Sequence, residues 1–216
     1  MLGTRIRRAA FALCLASVAL ISAQSRGPTE QEIKQAEHDV PVLLKVLDIL
    51  PGMTVADLGA GAGAMTLVAA RQLGPASRIY ATDLNPATVA DLKALAEREH
   101  LANVEVVQGA AAATNLPSAC CDAIFMRDVY HHITDPAAMN RSIAAALKPS
   151  GRFAVIDFEA KPGSPLPDGV PANRGGHGVP PAVVAEEVGA ASLIYVQTFP
   201  QWPEPKEPSF LVLFHK

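Results

Sequence analysis

The residues with the plainest chemistry are two aspartates and the glycines between them. Val55-Ala56-Asp57-Leu58-Gly59-Ala60-Gly61-Ala62-Gly63 reads as a short apolar strand running into a glycine-rich turn. Glycines there let a ligand approach the backbone with no Cβ in the way. Asp83 ends the next apolar run, where a carboxylate can accept two hydrogen bonds from a ribose diol. Gly59-x-Gly61-x-x-Ala64 also fits a dinucleotide fingerprint, so glycine spacing alone leaves a nicotinamide cofactor open. Asp57 separates the two. An acid beside the turn repels a pyrophosphate, whereas it suits a ligand carrying a sulfonium and a free amino group.

A second group lies further along. Arg127-Asp128-Val129-Tyr130-His131-His132 follows one apolar run, and Asp157 and Glu159 follow another. His177 sits among glycines in Arg174-Gly175-Gly176-His177-Gly178. Histidine serves as a general base near neutral pH, so His131, His132 and His177 are the candidate catalytic residues. One of His131 and His132 is equally readable as structural, and His177 as part of a surface loop. Three histidines and two acids also invite a metal, but their spacing matches no standard ligand pattern, and no metal is expected.

These residues need a scaffold with strand ends gathered on one side. Residues 30–50 carry a helical apolar stripe stopped by Pro51-Gly52. Strands at 54–58, 78–82, 104–108, 123–126 and 152–157 then alternate with helices at 64–73, 86–100 and 135–147. This order predicts an α/β three-layer sandwich, with a mostly parallel sheet covered on both faces. Residues 160–178 read as a long loop and 181–188 as a last helix. Two final strands, 192–198 and 210–215, flank a proline-rich connector.

The combined pattern resembles the class I S-adenosylmethionine-dependent methyltransferases. Asp57-Leu58-Gly59-Ala60-Gly61-Ala62-Gly63 looks like that family's first motif, and Asp83-Leu84-Asn85-Pro86 like its second, acidic motif. Leu116-Pro117 with Cys121-Asp122-Ala123-Ile124-Phe125 resembles its fourth-strand region, and Leu147-Lys148-Pro149-Ser150-Gly151-Arg152 its turn before strand five. The resemblance covers about residues 40–160. It implies a Rossmann-like, seven-stranded sheet with an antiparallel last strand, and S-adenosyl-L-methionine as cofactor. Carried over by position, Asp57 sits near the methionine amino group, and Gly59, Ala60, Gly61 and Gly63 line the methionine and ribose side. Asp83 takes the ribose hydroxyls, and Leu84 or Asn85 packs beside adenine. Ala110 and Arg127 complete the expected cofactor set. Gly109-Ala110-Ala111 departs from the family, which usually places an adenine-contacting acid there. The expected activity is methyl transfer to a small-molecule acceptor. A nicotinamide-dependent oxidoreductase and a catalytically silent exported binding protein are the alternatives.

The 216 residues suit one domain, 32–216, behind a polar linker at 24–31. A net charge of −3 offers no basic stripe for nucleic acid. Arg5, Arg7 and Arg8, the uncharged apolar run at 9–23 and the small Ala23 have the layout of a signal peptide. The expectation is a periplasmic or secreted protein, or a membrane-anchored or cytoplasmic one if the segment is uncleaved. Contact with a membrane is expected only through residues 1–23. Adjacent Cys120 and Cys121 are not expected to pair.

Overall fold

The computed structural model describes residues 27–216, so the predicted signal segment lies outside the described residues. Seven strands form one sheet: β1 (Thr54–Leu58), β2 (Arg78–Asp83), β3 (Val104–Gln108), β4 (Cys121–Arg127), β5 (Leu147–Phe158), β6 (Ile194–Trp202) and β7 (Ser209–His215). Their order is β3-β2-β1-β4-β5-β7-β6. The first five strands run parallel, and β7 lies antiparallel between β5 and β6. This is the predicted Rossmann-like sheet with its reversed last strand.

Side chains alternate across each strand, so each face of the sheet collects its own core. Val55, Ile79, Phe125 and Ile156 pack on one face with α1 (Glu30–Val46) and α2 (Ala64–Leu73). Ala56, Ile124, Met126 and Val155 pack on the other with α4 (Pro136–Ala146) and α5 (Pro181–Gly189). The remaining helix, α3 (Pro86–Arg98), packs against β2 and β3. Strand order reverses between β1 and β4, and in open α/β sheets the crevice beyond the strand ends at that reversal is where ligands bind. Asp57 and Arg127 both lie there.

Several boundaries differ from the sequence reading. The expected linker ends early, because Thr29 caps α1: its hydroxyl accepts from Glu32 N while the Glu32 carboxylate accepts from Thr29 N, a capping box. The helix stops at Val46, and Asp48 beyond it has positive φ. Strand β5 starts at Leu147, before the predicted turn. A register shift opposite Cys121 and Ala123 absorbs Lys148–Gly151, so turn residues are counted within the strand. Strand β6 runs through Pro200, which an edge strand tolerates because one side of its ladder is unpaired. Cys120 and Cys121, expected to stay apart, are bonded to each other.

Candidate functional site

The glycine turn is built to be open on one side and closed on the other. Gly59, Gly61 and Gly63 all have positive φ, the region where a side chain is strained. A Cβ on Gly59 would stand 2.5 Å from the Val129 side chain, and one on Gly63 would stand 2.5 Å from Leu95. Those two glycines let the turn press against β4's exit loop and α3. Gly61 has nothing within 4 Å of its Cβ position. It faces a cavity of about 560 Å³ that Asp57, Gly59, Arg127 and Asp128 also line.

Asp57 is buried, 3% exposed, at the end of β1. Thr66 donates a hydroxyl hydrogen bond of 2.7 Å to its Oδ2. Burial pushes the carboxyl up to about 7. The Thr66 hydrogen bonds pull the other way, and the nearby Asp83 carboxylate adds a little. The acid is therefore held by a neutral partner in a site that penalises its charge. A ligand ammonium would supply the missing counter-charge. Asp83 ends β2, and its Oδ2 accepts from Gly61 N at 3.2 Å while Oδ1 accepts from Asn85 N at 2.9 Å. The second carboxylate is thereby fixed against the glycine turn.

A second, smaller and more apolar cavity lies on the far side of Asp83. Leu58, Leu84, Ala110, Met126, Ile133 and Met139 are among its walls, and Gly59 borders both cavities. Its apolar lining suits a base held by apolar contact. Ala110 reaches it from a tight turn closed by paired backbone bonds with Ala113. Asn85 is engaged elsewhere: its Oδ1 accepts from Ala87 N and caps α3. Arg127 lines the larger cavity but is ion-paired with the buried Asp39 of α1. Asp128, next to it, was not singled out in the sequence. It takes a left-handed φ of 56° at the end of β4 and lines the same cavity. Burial raises its carboxyl, countered chiefly by Arg127. The residues present therefore fit S-adenosylmethionine: a buried acid and an open glycine on one side, a second carboxylate fixed against the turn, and an apolar slot on the other.

The three candidate histidines come together, although 45 residues separate His132 from His177 in the numbering. His131 is 2% exposed, and its Nδ1 lies 2.7 Å from Asp157 Oδ1. Asp157, fully buried, also accepts from the backbone N–H groups of His131 and Phe158. Its side-chain partner is thus the histidine that follows β4. The ring of His132 lies 4.0 Å from that of His131, and His132 also lines the apolar cavity. Burial and its two histidine neighbours hold its imidazole below the usual value.

The glycine-rich segment that carries His177 is tied down and not a loose surface loop. Arg174 is fully buried, and its guanidinium forms a bidentate pair with Glu187 of α5 at 2.8 and 2.9 Å. It also lies over the Tyr130 ring, whose hydroxyl donates to Glu187 and accepts from Asn140. Gly178 has a φ of 138°, and a Cβ there would stand 2.5 Å from Ala160 N. That contact brings the segment back over the end of β5.

Residues 56–155 match a family model for a methyltransferase domain. Over 108 residues the chain is 32% identical to the ubiquinone/menaquinone biosynthesis C-methyltransferase UbiE of Enterobacter sp. (strain 638), covering 50% of this chain and 43% of that protein. It spans less than half the length of the curated relatives it matches first. Among solved structures, it is similar to a SAM-dependent methyltransferase from Aquifex aeolicus, with a TM-score of 0.68 and 24% identity over 86% of this chain and 97% of that one. It is also similar to the cyclase SpnF, with a TM-score of 0.64 and 21% identity over 76% and 60% of the two chains. Residues 56–155 thus resemble a methyltransferase domain, and the chain shares the Rossmann-like fold of solved S-adenosylmethionine-dependent methyltransferases.

Proposed function

We propose that the protein transfers a methyl group from S-adenosylmethionine to a small-molecule acceptor. The observation that carries this reading is Asp57: a buried acid at the end of β1, held by a neutral hydroxyl, beside a glycine turn that is open at Gly61. When bound, the cofactor supplies a methyl group already activated by its sulfonium. The chain's own work is then to hold, align and exclude water. Asp57 takes the ligand's ammonium, Asp83 its ribose hydroxyls, and the slot between Leu84 and Met139 its base. A pyrophosphate at Asp57 would bring like charges together in a buried site, which disfavours a dinucleotide.

The acceptor is placed beyond the ends of β4 and β5, where His131, His132 and His177 gather. With burial and its histidine neighbours holding the imidazole of His132 below its usual value, the ring is able to take a proton from an acceptor hydroxyl or carbon acid. His131 is positioned by Asp157 and buttresses it. The curated relatives are C-methyltransferases by name, which makes carbon acids the first acceptors to screen. The basic start and apolar run at 1–23 support export or anchoring of the domain.

The test is release of S-adenosylhomocysteine by the purified protein with S-adenosylmethionine and a panel of small acceptors. Turnover with one acceptor, abolished in Asp57→Ala, is expected. Tight cofactor binding without turnover on any acceptor would instead favour a silent binding protein on this scaffold.

A further inference from the structure

His131, His132 and His177 are placed with one ring nitrogen each, all within 4.8 Å of one another. Two of the three are exposed, yet their rings gather with His131: centroid separations are 4.0 Å for His131–His132, 4.9 Å for His131–His177 and 5.4 Å for His132–His177. Behind the buried ring stands a buried carboxylate, Asp157, at 2.7 Å from His131 Nδ1. That bond fixes the tautomer and leaves Nε2 as the nitrogen available to an ion. A carboxylate–histidine pair of this kind is the usual support behind a metal-ligating imidazole. The third ring is delivered by a segment held at both ends. Arg174 anchors one side through Glu187, and on the other Val179 N donates to Phe158 O at 2.9 Å. Ser164 Oγ accepts from His177 N itself at 3.0 Å.

From this placement we infer that His131, His132 and His177 form a binding site for one divalent transition-metal ion of the zinc class, supported by Asp157 and open at a further coordination position. Imidazole donors suit zinc, cobalt, nickel and copper, whereas magnesium and calcium require oxygen ligands. A tetrahedral zinc ion with nitrogens at about 2.0–2.1 Å places them about 3.3 Å apart. Closing from the separations here takes roughly an ångström of side-chain movement, which the exposed His132 and His177 can make. The open position would take an oxygen, nitrogen or sulfur donor from solvent or from a small molecule. Because an ion uses the same lone pair that accepts a proton, His132 serves as ligand or base but not as both at once. His132 borders the apolar slot beside Asp83, whereas Asp57 lines the other cavity, and ion binding does not depend on methyl transfer.

The experiment is titration of the untagged, chelator-stripped protein with zinc chloride by calorimetry, and with cobalt chloride by absorption spectroscopy. One zinc per chain is expected, unaffected by excess magnesium. Cobalt should give the intense visible bands of a low-symmetry, four- or five-coordinate site. His177→Ala and His132→Ala should each weaken zinc binding at least tenfold, and Asp157→Asn by roughly 10- to 100-fold. Both histidine variants alter exposed side chains, and their melting curves without metal should match the parent. Asp57→Ala should bind zinc like the parent, which separates this site from the cofactor cradle. Absence of stoichiometric binding, or equal affinity in the parent and His177→Ala, overturns the inference and leaves the methyltransferase reading standing.

Discussion

At the residue scale, Asp57 is where stability and function pull in opposite directions. Its carboxyl, ordinarily at 3.8, is pushed up to about 7 mainly by burial. A folded-state value above the unfolded one means that the neutral form favours the fold. That contribution is fully present below about pH 3.8 and is lost as pH rises through about 7. Asp57→Asn should therefore melt higher than the parent at pH 8, by up to about 4 kcal/mol of stability, and at the same temperature at pH 4. Differential scanning calorimetry at the two values checks this. Ligand binding responds with the opposite sign, because an ammonium wants the ionised acid. Affinity for S-adenosylmethionine should fall roughly twentyfold from pH 7.5 to pH 5.5 by the same linkage, and a flat profile would remove Asp57 from the site. The glycines divide similarly. Gly61→Ala should leave the melting temperature within a few degrees and weaken the cofactor, since its Cβ meets only the cavity. Gly59→Ala should damage the fold itself, because its Cβ runs into Val129.

At the scale of elements, the segment between β5 and α5 depends on a buried ion pair. Arg174 is fully buried, and Glu187 is its carboxylate partner. Removing one partner of such a pair leaves an uncompensated charge, at a cost of about 3–5 kcal/mol. Glu187→Ala should lower the urea midpoint accordingly and expose residues 160–178 to proteolysis. Unchanged protection would mean that the segment is held by its glycine contacts alone. This brace was not legible in the sequence. Arg174 and Glu187 lie on different elements, and nothing in their local pattern marks either as buried. The glycine turn was legible because Asp57 and the three glycines are neighbours in the chain, and Asp83 because it ends a recognisable strand. The joining of His177 to His131 and His132 was not, because it depends on how a loop rich in glycine and proline returns over the sheet. Asn85 shows the converse: its place beside a motif suggested a ligand contact, while its local chemistry made it the cap of α3.

At the scale of the whole molecule, the periodicity of alternating strands and helices was enough to give a mostly parallel, doubly covered sheet, and the family resemblance implied its reversed last strand. Boundaries shifted where irregular backbone continues a ladder, as at Lys148–Gly151 and through Pro200. The proposed export of this domain carries a tension, since S-adenosylmethionine is made inside the cell. An anchor that keeps the domain on the cytoplasmic side would resolve it, as would folding around the cofactor before export. Mass spectrometry of the N-terminus of the protein from its native host should find a chain beginning at Gln24 if the segment is cleaved. An intact Met1 or Leu2 would sink that proposal. Occupation of the cradle between β1 and β4 by an adenosyl ligand is measurable by calorimetry. S-adenosylmethionine, S-adenosylhomocysteine and NAD would each be titrated into the protein and into Asp57→Ala and Asp83→Ala. Both adenosyl ligands should bind the parent, both variants should lose them, and NAD should give no heat of binding. Binding of NAD alone, or of none of the three, would contradict the assignment of the cradle to an adenosyl ligand.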